Sequence, residues 1–87
     1  MIKVIYSTYF LKSARKLSLQ NQEKLGELLA YLQNNPFHPL LHTKHLAGKL
    51  SGLLSFRITR DWRVIFKFVE PDIIQLIETA HRKDIYN

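Results

Sequence analysis

Between Leu53 and Val69 the chain reads LLSFRITRDWRVIFKFV, with apolar positions alternating on either side of a polar centre. Leu54, Phe56 and Ile58 alternate with Ser55, Arg57 and Thr59, and Trp62, Val64, Phe66 and Phe68 alternate with Arg63, Ile65 and Lys67. A period of two, built from aromatic and β-branched residues, predicts two strands joined at Thr59-Arg60-Asp61. One residue of slip turns every side chain to the other face, so the pattern constrains the register. Pairing Ile58 with Trp62 sets Phe56 opposite Val64 and Leu54 opposite Phe66, all on one apolar face. A two-residue loop would pair Ile58 with Arg63 and mix the faces. The favoured register therefore puts Arg57 directly across from Arg63, on the face away from the apolar side.

The rest of the chain supplies helices and outer strands. Ile2 to Tyr6 predicts a short strand, after which Ser7 or Thr8 offers a capping oxygen. Phe10, Ala14 and Leu17 recur at helical spacing, giving a first helix from about Ser7 to Lys16. Ser18 can cap a second, in which Leu25, Leu28, Leu29 and Leu32 form a one-face stripe, read as core packing. Asn34-Asn35-Pro36 stops it. Asn35 to Gly52 contains two prolines and two glycines, so it is either a functional loop or hides a short helical turn. Glu70-Pro71-Asp72 is a turn, and Ile73 to Ala80 a last strand. Its register stays open: a three-residue loop pairs Arg63 with Thr79 and sends His81 to the arginine face, and a two- or four-residue loop sends it to the other. The order is β-α-α-β-β-β, an α+β class in which a helical hairpin packs on one face of a mainly antiparallel sheet, as one domain over residues 1–87.

Composition narrows the classes. Eighty-seven residues, 46% of them hydrophobic, suffice for one small core. There is no cysteine, which excludes disulfides and thiolate metal sites and is compatible with a reducing cytoplasm. The N-terminal stretch lacks the basic-then-apolar build of a signal peptide, and no apolar run is long enough to span a bilayer, so a cytoplasmic location without membrane contact is expected. Thirteen basic residues against seven acidic give a net charge of +6, which favours an acidic or polyanionic partner.

The candidate chemistry starts from the facing arginines. Like charges across a ladder cost about 0.2–1 kcal/mol. A phosphate between the two guanidiniums would convert that repulsion into a clamp. The alternative is that each pairs with a carboxylate such as Asp61 or Glu78, or projects into water. If the ligand is RNA, cleavage by the ribose 2′-hydroxyl needs a base, positive charge at the phosphorus and an acid for the leaving 5′-oxygen. Histidine suits either proton role, and arginine the charge. His81, Arg57 and Arg63 would form this set, with His45 or Lys44 arriving from the 35–52 segment as a basic flap and Tyr86 stacking on a base or orienting a phosphate. No metal or cofactor is required. His38, His42 and His45 are read as loop histidines, not zinc ligands, because a zinc site wants further ligands at defined spacing and no carboxylate lies within this segment.

The segment HLAGKLSGLLSFRITRDWRVIFKF, followed by ETAHRKDIY, resembles the RelE/ParE toxin superfamily, especially its RelE, YoeB and YafQ branches. The resemblance covers nearly the whole chain and is carried by L-x-G-x-L-x-G, by R-I-x-x-D-W-R-V-I-F and by H-R-K-D-I-Y. It implies the toxin of a type II toxin–antitoxin pair: a small basic ribonuclease that cuts mRNA in the ribosomal A site and is neutralised in a hetero-oligomer with an acidic antitoxin. On that likeness Arg63 falls at a phosphate-contacting arginine and Arg57 at or beside a basic or histidine position. His81 matches the C-terminal histidine that acts as proton donor in YafQ-like members. Arg82 and Tyr86 match the arginine and tyrosine of the RelE ending, Asp61 an aspartate of the YafQ type, and His45 lies near a variable loop position. Lys44, Lys49, Arg60, Arg82 and Lys83 are then the expected RNA contacts. The paired loop lysines of RelE and the loop acid of YoeB have no clear counterpart, which leaves the general base unassigned. The ParE branch shares the fold, poisons DNA gyrase and lacks this proton-transfer set, so a gyrase inhibitor is the alternative.

Overall fold

The computed structural model describes residues 1–85. Five strands, β1 (Lys3–Tyr6), β2 (Lys44–His45), β3 (Leu54–Arg57), β4 (Trp62–Glu70) and β5 (Ile73–His81), form one sheet in the order β1-β5-β4-β3-β2. Only β1 runs parallel to its neighbour, β5, and the other pairs are antiparallel. Helices α1 (Thr8–Arg15) and α2 (Leu19–Asn34) form the expected hairpin, and a four-residue α3 (Arg82–Ile85) follows β5. The caps are those the sequence offers: Ser7 Oγ accepts from the Phe10 N–H and Ser18 Oγ from the Asn21 N–H.

The 35–52 segment is more ordered than its prolines and glycines suggest. It holds two 3-10 turns, Pro39–Leu41 and Gly48–Leu50, and between them the strand β2, which no local pattern predicts. At two residues β2 is too short to show a period, and it exists because β3 offers it a free edge.

The main core lies between the hairpin and one sheet face. Phe10, Leu17, Leu25, Leu28 and Leu32 from the helices meet Leu54, Phe56, Val64, Phe66, Ile74 and Leu76 from the strands. The β3–β4 ladder has the register that keeps the apolar face intact: Leu54 opposite Phe66, Phe56 opposite Val64 and Arg57 opposite Arg63.

The β4–β5 ladder answers the open question. From Phe68 to Phe66 it follows the three-residue-loop register, with Phe68 opposite Ile74 and Phe66 opposite Leu76. A bulge at Ile77 then inserts one residue, so Ile65 faces Glu78, Arg63 faces Ala80 and Trp62 faces His81. A second irregularity, at Val69, lets Glu70 face Ile73 across the turn. Helix α1 secures the β5 edge at the Ile77 bulge: Ser7 Oγ donates to the Ile77 carbonyl at 2.9 Å and Ser13 Oγ accepts the Thr79 N–H at 2.9 Å. Backbone groups freed from a ladder must find such partners.

The second sheet face is also partly covered. Leu46 from the flap and Ile85 from α3 pack on Ile65, with Leu50, Leu53, Ile77 and Ala80 around them. This smaller core covers part of the face and leaves the Arg57–Arg63 end beside it. Among the described residues, no helix is long and apolar enough to cross a membrane.

Candidate functional site

Arg57 and Arg63 occupy the last rung of the β3–β4 ladder, next to the turn. They share a rung, yet they are held differently. Arg63 is buried, 7% exposed. Its Nη1 donates to the carbonyls of Thr59 and Arg60 at 2.7 Å each, and more distantly to that of Trp62 at 3.3 Å. The turn backbone thus wraps one corner of this guanidinium, which closes the hairpin. Arg57 is half-buried and has no such anchor: its Nε is buried without a hydrogen-bond partner among the described residues. Neither arginine makes a carboxylate ion pair among the described residues; the ion pair at this end joins Arg82 Nε to Asp61 Oδ1 at 3.4 Å. An unpaired buried donor beside a second cation is costly in a small domain and is compensated when an anion arrives.

His81 does not join the arginines on their face. The Ile77 bulge shifts the ladder by one, so the imidazole lies on the side of Trp62, its ring edge-on to the indole with centroids 5.3 Å apart. Its Nδ1 accepts from the Lys83 N–H at 3.3 Å, which leaves Nε2 as the nitrogen available to a ligand. His81 still ends the rung next to Arg63 and Ala80, so the two faces meet at this end of the sheet. The turn and α3 close it: the Arg82 N–H donates to the Asp61 carbonyl at 2.8 Å. Arg60, Arg82 and Lys83 are exposed around it.

His45 is not brought to the arginines either. It pairs with Leu54, three residues along β3 from Arg57 and on the opposite face, about 10 Å away along the strand. Its ring lies against Phe37 instead. Lys44, paired with Ser55, is on the arginine face, two residues up the strand from Arg57. Lys49 lies in an open cleft of about 690 Å³ between the flap and α3, also lined by His45, Leu50, Asp84 and Ile85. Tyr86 falls outside the described residues. His38 and His42 sit in the loop, the first with Nδ1 accepting from the Leu40 N–H; among the described residues no cluster of His, Asp or Glu side chains has the makings of a metal site.

Several parts of this arrangement were not anticipated: the Arg63 clamp, the Arg82–Asp61 link and the apolar cover from Ile85. The face of His81 had a sequence signal. Leu76 and Ile77 are adjacent apolar residues, and the alternation shifts phase between them and Glu78-Thr79.

No family model matches the chain, and no curated protein does. Solved structures match its fold along almost the whole length. YafQ from Escherichia coli strain BL21(DE3) superposes with a TM-score of 0.78 at 20% identity, covering all of both chains. The archaeal RelE–RelB complex from Pyrococcus horikoshii OT3 gives 0.76 at 20% identity, over 93% of this chain and 94% of the other. The YoeB/ParE toxin from Agrobacterium tumefaciens gives 0.75 at 19% identity, over 92% and 98%. The chain therefore has the fold of the RelE, YoeB and YafQ toxins.

Proposed function

We propose that this protein is the toxin of a type II toxin–antitoxin pair and that it acts on mRNA at the ribosome as a metal-independent endoribonuclease. The observation that carries the reading is Arg57: a cation on the open end of the sheet, opposite a second cation, with a buried N–H that nothing among the described residues satisfies. A phosphodiester supplies both the charge and the acceptor.

The reaction would run as follows. A base removes the proton of the ribose 2′-hydroxyl, and the 2′-oxygen attacks the adjacent phosphorus. Arg57 stabilises the charge that builds on the non-bridging oxygens. The P–O5′ bond breaks, the 5′-oxygen takes a proton, and a 2′,3′-cyclic phosphate remains. His81 is the proposed proton donor. Because its ring lies across the sheet from the arginines, the scissile phosphate would sit over the sheet's end, reached by Arg57 from one side and His81 from the other. Arg60, Arg82 and Lys83 supply further positive charge there. The base is left without an assigned residue, since His45 lies elsewhere. The expected partner is a cognate acidic antitoxin; the archaeal RelE is seen in a complex with RelB, and the Staphylococcus aureus YoeB in a toxin–antitoxin complex with YefM.

The placement of both histidines away from the arginine face favours one other reading, a ParE-like toxin that binds DNA gyrase without catalysis. Mapping mRNA 5′ ends in a translation reaction separates the two. Cleavage by the wild type, lost in His81→Ala, supports the nuclease. Identical ends from both proteins would remove His81 from the chemistry, and intact mRNA with inhibited gyrase supercoiling would support the alternative.

A further inference from the structure

At the other end of the sheet from the arginines, a row of rings leads out of the core. Phe56 packs on Phe66, Phe66 on Phe68, Phe68 on Phe37, and Phe37 on His45, with centroids 5.9, 6.1, 6.4 and 6.1 Å apart. The last three rings are close to parallel, with interplanar angles of 17° between Phe68 and Phe37 and 28° between Phe37 and His45. Phe37 is 52% exposed. An exposed aromatic ring of this kind is commonly a loop accident that flexes into solvent. Phe37 is braced instead. Its N–H donates to Asn35 Oδ1 at 3.0 Å, and Thr43 Oγ1 ties back to the Pro36 carbonyl at 2.6 Å. Beside it, Tyr31 contacts His38 at 4.7 Å.

The segment that carries Phe37 is basic in sequence. From Leu28 to Arg60 the sequence contains no acidic residue, and His38, His42, Lys44 and His45 all fall within eight residues of Phe37 along the chain. The nearest carboxylate in sequence to the ring row is Glu70, two residues beyond Phe68. Rigid aromatic faces beside a segment with lysine and no carboxylate match single-stranded nucleic acid, whose bases stack while its phosphates are neutralised. The patch also connects to the arginines. Lys44 shares the face of Arg57, and the next residue, His45, turns to the Phe37 side, so a strand held at Arg57 can cross the β2 edge onto the rings.

We propose that Phe37 and His45 form a base-stacking platform for single-stranded RNA, outside the cleavage end, which holds a nucleotide flanking the one at Arg57. The inference rests on the RNA reading above and adds to it a site that sets how the strand lies. It also gives His45 a use that its distance from the arginines denies it as a base.

Fluorescence anisotropy at low salt tests this, with a labelled oligoadenylate RNA of ~12 nucleotides, in the range of known single-strand sites, and an abasic strand of equal length. The wild type binds the base-bearing strand more tightly than the abasic one. Phe37→Ala weakens the base-bearing strand about 5- to 150-fold, the range for loss of one stacked base, and leaves the abasic strand nearly unchanged. Phe37→Tyr keeps wild-type affinity, and His45→Ala weakens binding in the same selective way, which guards against a folding artefact in either alanine variant. Wild-type affinity in Phe37→Ala, with Arg57→Ala weakening both strands, overturns the platform and spares the RNA reading. Failure of the wild type to bind either strand overturns both. If Phe37→Ala leaves RNA untouched and instead weakens an acidic amphipathic peptide, the patch is a protein interface and the platform is wrong.

Discussion

The two arginines of one rung should respond to substitution with opposite signs. Arg63→Leu removes a charged donor from two carbonyls at 2.7 Å and a third at 3.3 Å. A hydrogen bond to a charged group is worth about 1.5–3 kcal/mol. The two short bonds together give about 3–6 kcal/mol, and water reaching the turn carbonyls returns part of it, leaving a net loss of about 2–4 kcal/mol. In a domain of this size that lowers Tm by roughly 10–25 °C. Arg57→Leu removes a buried N–H that has no partner among the described residues and ends the repulsion across the ladder. Relief of the like-charge pair alone is worth about 0.2–1 kcal/mol, so the variant should be stabilised by about 0.5–1 kcal/mol once the unpaired donor is counted. The same change should abolish growth arrest on expression. Urea denaturation of both variants and the wild type, read as midpoint shifts at constant slope, measures the contrast. A loss of more than about 1 kcal/mol in Arg57→Leu, beyond what the ladder repulsion allows, would show that Arg57 is a structural residue, and the anion site would lose its physical basis.

Other consequences are simpler. Ser13→Ala deprives the Thr79 N–H of its acceptor beside the bulge and should cost about 1–3 kcal/mol, seen by thermal unfolding; no change would mean water replaces the hydroxyl. Gly52 has φ +92°, where a side chain is strained, so Gly52→Ala should lose about 1 kcal/mol or more although nothing blocks the added methyl. Asp61→Asn breaks a surface ion pair whose side chains are 54% and 45% exposed and should change stability by less than about 1 kcal/mol, so a larger drop in a denaturation curve would reveal a heavier role for the α3 link.

Much of the fold was legible because it depends on periodicity. The alternation on either side of Arg60 decided the β3–β4 register, and with it the facing arginines, because a slip would have buried Arg63's neighbours on the wrong side. The Leu25–Leu32 stripe and the two serine caps marked the hairpin as plainly. Contacts made between distant segments were not legible. Nothing local shows that Thr59 and Arg60 turn their carbonyls toward Arg63, or that Ile85 lies on Ile65. β2 escaped notice for the same reason, since two residues carry no period of their own.

The bulge at Ile77 explains why the site could be half read. Its register decides which face each of the last four residues of β5 takes, and it is stabilised from a distance, by hydroxyls of α1. Without it, the register seen at Phe66 would continue to Arg63 and put His81 beside the guanidiniums, as the sequence allowed. With it, the sheet sends its cations to one side and its terminal imidazole to the other. A phosphate bound by both must therefore lie past the sheet's edge, over the turn at Arg60, and not on the sheet's surface. That location is open to solvent and flanked by Asp61, Arg82 and Lys83, so any proton transfer there takes place in a polar, hydrated setting. A hydrated site strengthens no electrostatic contact by itself. On these terms the isolated chain should cleave RNA poorly, and a surface that excludes water, such as the ribosome in the proposed function, would have to complete the site.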